Sequence, residues 1–212
     1  QVVGRLDQRR WRQPGGHVRV RPLPRVHAVT DAAVLALPDL GVRAAAIAAL
    51  GPAAAPHVRD RTGPVATLAA LGERFEALAR PPEAALFINA RPDLAAAVHA
   101  QALELGTADL TVTQARGLFT AGWIGRSVHS LAEAEAAITD GADYLMLGSV
   151  YDTVSHDRGA PVGVDLVRRI AALGRPVIAI GGVTADRAAD LRRAGAWGVA
   201  GIRALWHSAD PG

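Results

Sequence analysis

The chain has 212 residues, half of them apolar, a formal net charge of +3, no cysteine, and 23 basic side chains, every one an arginine. That length fits one domain with a single large core, and no apolar run approaches the roughly 18 residues that a membrane span needs. Without lysine there is no Schiff-base chemistry, and without cysteine no disulfide or thiolate nucleophile, so proton transfer falls to His, Asp, Glu or Tyr and anion binding to arginine, hydroxyls and backbone N–H groups.

The first 22 residues hold most of a cluster of seven arginines between Arg5 and Arg25, with Gly, Pro and Gln but neither hydrophobic periodicity nor the apolar centre of a secretory signal. They are read as a basic, flexible extension (1–22), which leaves 23–212 as one domain. The expected setting is the cytoplasm, with neither a membrane nor a nucleic acid as partner; self-association is left open.

From Leu23 onward, short apolar runs alternate with alanine-rich amphipathic segments. Strands are expected near 25–30, 55–59, 84–88, 102–105, 122–126, 143–147, 177–180 and 197–200. Helices are expected near 40–50, 64–79, 92–100, 112–118, 130–139, 163–173 and 184–194. Helix starts agree: Asp93 follows a proline, Ser130 and Glu133 have capping-box spacing, and Thr184 precedes a helix with Asp186 in its first turn. Strands alternating with helices close most simply into an α/β fold, a (β/α)8 TIM barrel. Only a short turn at 202–207 follows the last strand, so the eighth helix is expected to be short or missing, leaving the outer surface of the first and last strands uncovered.

Barrels of this kind build their sites at the C-terminal ends of the strands. Here those ends carry Thr30-Asp31, His57 to Arg61, Asn89, Ser127 with His129, and the run containing Ser149, Thr153, Ser155 and His156. The last two strands end in Gly181-Gly182 and Gly201-Ile202, where backbone N–H groups can hold a phosphate. His129 lies two residues beyond Ser127 and is suited to shuttling a proton near neutral pH, with His27, His57 and His156 as rivals. Arg59 and Arg61 flank Asp60, available either to an anionic ligand or to that carboxylate.

Seven segments in order resemble the thiazole tautomerase (TenI) family, the sister group of the thiamine phosphate synthases. They are His27 to Asp31, His57 to Arg61, Asn89 to Ala95, Gly125 to Ser130, Gly141 to Tyr144, Pro176 to Gly182, and Ala194 to Ala196. The resemblance implies an isomerase of thiamine biosynthesis that converts a dihydrothiazole carboxylate phosphate into the aromatic carboxythiazole phosphate, with no cofactor and no metal. It assigns His129 as the acid/base residue. Arg59, Arg61, Asn89 and Ser127 would meet the substrate, and Thr153, Ser155, Gly181, Gly182, Gly201 and Ile202 the phosphate.

The same resemblance names the alternative, a thiamine phosphate synthase coupling a pyrimidine pyrophosphate to thiazole phosphate. Synthases carry Gln-x-Arg-x-Lys after the second strand, where this chain has His57, Arg59 and Arg61. They hold magnesium with an Asp after the third-strand Asn and another beyond the fourth strand, where this chain has Ala90 and Asp109. Their Thr-x-Thr-Lys reads Thr153-Val154-Ser155-His156 here. Departures from the tautomerases are Ser149 in place of a histidine and Arg203 in place of a small residue. A third reading is a non-catalytic binder of the thiazole phosphate.

Overall fold

Apolar runs of four or five residues, each bounded by glycine, proline or a polar cluster, become strands once both of their faces can be covered. The computed structural model describes residues 8–12, 18–79, 84–153 and 160–208. After a ribbon formed by β1 (Gln8–Arg12) and β2 (Val18–Pro22), eight parallel strands follow in chain order: β3 (Val26–Val29), β4 (Ala54–Val58), β5 (Phe87–Asn89), β6 (Ala102–Leu105), β7 (Trp123–Val128), β8 (Tyr144–Leu147), β9 (Val177–Ile180) and β10 (Gly198–Gly201). Each pairs with the next, and β10 pairs back onto β3, closing the barrel.

Between them lie α1 (Ala32–Leu35), α2 (Leu40–Ala48), α3 (Val65–Ala79), α4 (Pro92–Ala97), α5 (Val112–Leu118), α6 (Leu131–Thr139), α7 (Gly163–Ala171), α8 (Ala185–Arg193) and α9 (Arg203–Trp206). The seven expected helices correspond to α2 through α8. The extra short helix α1 begins where the Asp31 carboxylate accepts the Val34 N–H at 2.9 Å, a cap the sequence displayed before an apolar run.

Alternate residues of the strands divide into two packed sets. Val29, Ala55, Phe87, Ala102, Trp123, Tyr144, Met146, Ile178 and Ala200 fill the barrel, while Ala28, Val58, Leu103, Leu105, Ile124, Leu145, Leu147 and Val177 pack with the helices outside it. At the end of the barrel remote from the strand C-termini, Trp197 Nε1 donates to Leu23 O at 2.9 Å, and the Arg25 guanidinium lies 3.9 Å from the Trp197 ring centroid. These contacts tie β10 to β3 where the first and last strands meet.

Two expectations need correction. The N-terminal arm, read as having no regular structure, contains the antiparallel ribbon of β1 and β2, in register from Gln8 with Pro22 to Arg12 with Val18. The Val-Arg-Val-Arg alternation and the intervening Pro14-Gly15-Gly16 were its signals. The surface expected to lie bare for want of a last helix is instead filled from α9: Trp206 is fully buried and stacks on Phe75 of α3 with ring centroids 6.0 Å apart. Arg43 of α2 donates to the Trp206 and Ser208 carbonyls, each at 2.8 Å, satisfying acceptors that a helix end leaves free.

Candidate active site

The strand C-termini surround one cavity of about 1300 Å³. It brings together Arg59, Arg61, Asn89, Ser127, His129, Thr153, Gly181, Gly182, Gly201 and Ile202 from the sequence-predicted set. Ser155, and His156 among the three rivals of His129, lie outside the described residues. The other two rival histidines are in the barrel interior rather than in the cavity lining.

His27 and His57 are fully buried and joined by a 2.9 Å hydrogen bond between His27 Nδ1 and His57 Nε2. His27 Nε2 reaches Pro24 O at 3.1 Å, and His57 Nδ1 lies 3.1 Å from Asn89 Oδ1. Burial lowers the His27 pKa to about 4, and burial with the charge of His27 holds His57 well below its ordinary value, so both rings are neutral near pH 7. The Pro24 carbonyl can only accept, so His27 Nε2 carries hydrogen. Hydrogen then passes in one sense through the pair, and His57 Nδ1 must accept. Two acceptors would then face each other at 3.1 Å, so a neutral pair requires the Asn89 amide to be turned end for end, with its NH2 on His57 and its oxygen toward the cavity.

This burial has a measurable consequence. Between pH 6.5 and 4.5 the unfolded chain binds a proton on each of His27 and His57, while the folded chain binds one on Glu104, whose pKa is raised to about 7. The unfolded state thus holds about one proton more from these three groups, and unfolding free energy should fall on acidification by about 1.4 kcal/mol per pH unit. Below pH 4.5 Glu104 no longer opposes and the loss should steepen until His27 titrates. Denaturant melts across this range check it; a flat profile would show that the rings are not buried neutral.

The arginines after β4 are free for an anion. Among the described residues neither Arg59 nor Arg61 is ion-paired, because Asp60 accepts instead from Thr62 N and Thr62 Oγ1 at 2.9 and 3.1 Å. Burial, then the neighbouring Arg61 charge, lower the Arg59 pKa, with Asp31, Asp60 and Asp109 opposing. Arg59 is the less exposed of the two. Thr30 fixes its backbone, accepting Arg59 N at 2.8 Å and donating to Arg59 O at 2.9 Å.

His129 follows β7 at the rim, its side chain 46% exposed. Ser130 caps α6 by accepting the Glu133 N–H at 3.2 Å, but the Glu133 carboxylate does not complete a capping box with Ser130. It accepts the His129 N–H at 2.8 Å and meets His129 Nδ1 at 3.1 Å. A carboxylate on Nδ1 favours the tautomer with hydrogen there and leaves Nε2 as the basic nitrogen. Glu133 was visible in the sequence only as a cap, and the pairing with His129 was missed.

The glycine cradle opposite is built by close approach. Gly181 and Gly182 have φ of +97° and +63°; a Cβ on the first would lie 2.6 Å from Ser149 Cα and on the second 2.5 Å from Asp152 O. Only glycine fits there, ligand or none. Arg187 of α8, missed in the sequence, also lines the cavity: it donates to Gly182 O at 2.6 Å and its guanidinium lies 4.4 Å from the Tyr151 ring centroid. It brings positive charge to the cradle.

Ser127, expected to meet substrate, donates to Glu104 Oε1 at 2.8 Å, so its hydrogen is committed to the protein. Glu104 itself was missed. A charged residue inside the apolar run Ala102-Leu103-Glu104-Leu105, at an inward position, was the available signal.

A closed (β/α)8 barrel that gathers arginines, a glycine cradle and a carboxylate-held histidine at the C-terminal ends of its strands defines a structural class, the barrels that carry their polar site at that one mouth. The family model described as "Thiamine monophosphate synthase" (TMP-TENI) matches residues 26–205, and the chain belongs to this family. The thiamine-phosphate synthase of Moorella thermoacetica is 40% identical over 163 residues, 76% of this chain and 78% of its own. That of Mycolicibacterium gilvum is 43% identical over 135 residues, 63% of this chain but only 57% of the relative's length. Among solved structures, a thiamine phosphate pyrophosphorylase from Pyrococcus furiosus shares 31% identity with a TM-score of 0.77, covering 88% of this chain and 89% of that one. These names agree with the synthase alternative of the sequence reading rather than with its tautomerase reading. Among the described residues no helix is long and apolar enough to cross a membrane.

Proposed function

We propose that this chain is a thiazole tautomerase: it holds a dihydrothiazole carboxylate phosphate in the barrel mouth and relocates a proton to give the aromatic carboxythiazole phosphate. The observation that carries the reading is the His129–Glu133 pair on the rim of the cavity that also contains the Gly181-Gly182 cradle. Arg59 faces the ligand carboxylate, and the glycine amides with Thr153 take the phosphate. His129 Nε2 accepts the ring C2 proton, and protonation of the exocyclic carbon completes the aromatic ring. Aromaticity supplies the driving force, so the protein has only to lower a proton-transfer barrier, for which a positioned base contributes about 10²- to 10⁴-fold.

The names of the relatives favour a second reading, coupling of a pyrimidine pyrophosphate to thiazole phosphate. The magnesium that this reaction calls for in the synthase pattern does not fit the residues present. Ala90 stands where a carboxylate is needed, and Asp109 Oδ2 is occupied by the Gly106 N–H at 2.6 Å. That leaves one carboxylate of the pair that the synthase pattern uses. The chain has no lysine to replace the synthase ammonium groups.

Absorbance assays of both reactions separate the readings. Conversion of the dihydrothiazole without added metal, and no coupling with Mg²⁺, is the expected pattern; coupling without conversion overturns the proposal. Binding of carboxythiazole phosphate with neither activity marks a non-catalytic binder. If the pair works as a unit, Glu133→Gln should lower turnover roughly tenfold or more by releasing the imidazole tautomer. Steady-state kinetics in which kcat stays at the parental value would remove Glu133 from the site.

A further inference from the structure

The proton-transfer reading leaves one buried group in the cavity wall without a task. Glu104, near the end of β6, is 1% exposed and lines the cavity. Its Oε1 accepts from Ser127 Oγ at 2.8 Å, while Oε2 is buried with no hydrogen-bond partner. The Tyr144 hydroxyl lies beside the carboxyl and stabilises its charged form, but it is shared with the Leu103 carbonyl at 3.4 Å. A buried carboxylate with one oxygen short of a good hydrogen bond is a poor structural element, because burial penalises the charge more than its few partners offset it. A neutral carboxyl avoids the charge penalty and has one hydrogen to give.

Tautomerisation needs two proton events at two different carbons. His129 stands at the exposed rim and Glu104 in the buried wall of the same cavity, so a flat heterocycle entering it meets one group from outside and the other from within.

We propose that Glu104 is the second catalytic residue of this site, the acid that protonates the exocyclic carbon while His129 takes the ring proton. The inference rests on the tautomerase reading. The C2–H bond breaks and its proton goes to His129 Nε2. The freed pair enters the ring, the conjugated double bonds each move one position, and the exocyclic carbon takes the Glu104 proton. An imidazolium and a carboxylate remain; transfer of one proton from the first to the second through solvent restores both. No oxidant, reductant or further reactant is consumed.

The groups around Glu104 are consistent with an acid that keeps its proton up to about pH 7 and is half ionised there. Burial dominates and raises its pKa to about 7; Tyr144, the Ser127 hydroxyl and the Arg126 charge oppose this, and the Asp109 charge adds to it. Met146 and Phe87 belong to the apolar interior of the same barrel.

The test follows kcat for the dihydrothiazole phosphate against pH in the parent, Glu104→Gln and Ser127→Ala. In the parent, kcat should fall as pH rises through about 7, as the acid deprotonates. Glu104→Gln should lose at least about 100-fold in kcat and lose that limb, while carboxythiazole phosphate affinity by calorimetry stays within about threefold. Ser127→Ala keeps the carboxyl but removes a hydrogen bond to its charged form, so the limb should move up by about one pH unit. That variant decides the matter if Glu104→Gln does not fold. Parental kcat with the limb intact in Glu104→Gln, or an unmoved limb in Ser127→Ala, overturns the proposal while the tautomerase reading stands. A parent inert toward the dihydrothiazole overturns both.

Discussion

Replacing His129 with alanine should lower turnover of the dihydrothiazole phosphate by about 10²- to 10⁴-fold while leaving the thermal midpoint close to that of the parent. The side chain is 46% exposed and its only described partner is a rim glutamate that is itself 46% exposed, so little packing is lost with it. The rate effect follows from position: among the described residues the His129 imidazole is the one that lines the cavity, since His27 and His57 are sealed inside the barrel. Substrate affinity should change little, because the phosphate and carboxylate are assigned to other groups. Paired measurements of kcat and KM on the variant check this. Activity within a few-fold of the parent would show that the proton leaves by another route and would end the assignment of His129.

The largest stability effect is expected at Trp206. Truncation to alanine removes a fully buried indole stacked on Phe75 and should cost about 3–5 kcal/mol, read from denaturant midpoints. Trp206→Phe should cost much less. The buried Trp206 Nε1 has no hydrogen-bond partner, and phenylalanine keeps a stacking ring while removing that unsatisfied donor. Equal losses in the two variants would mean that the indole nitrogen is satisfied in solution, for example by a bound water.

The barrel was legible because β3 to β10 are largely buried, so that each strand shows as a short, mainly apolar run, interrupted in places by a single polar residue such as His27, His57 or Glu104 and bounded by glycine, proline or polar residues. The expected strand near 84–88 begins regular pairing only at Phe87, since Ala84 to Leu86 are buried but outside the ladder. The site was legible where polar residues stand at strand ends, as Arg59, Asn89 and His129 do. It was not legible where the argument turned on a partner. His27 and His57 looked like rivals of His129, and only their 2.9 Å contact shows that each is spent on the other. Glu104 was absorbed into an apolar strand, and Glu133 into a helix cap. Arg187 lies on α8 far along the sequence from Tyr151, and nothing in periodicity brings the two together. The motif differences between tautomerase and synthase are written in side-chain chemistry, which overall identity to named relatives does not weigh.

The imidazole pair carries a last implication for the orientation of whatever binds above it. Because hydrogen must run in a single direction from the Asn89 amide to the Pro24 carbonyl, the bore of the barrel has a polarity, and reversing it at the lower end would flip the acceptor shown to an incoming ring at the upper end. On the proposed reading, a preference for one ligand orientation at the mouth would trace back to the Pro24 carbonyl at the far end of this chain of hydrogen bonds.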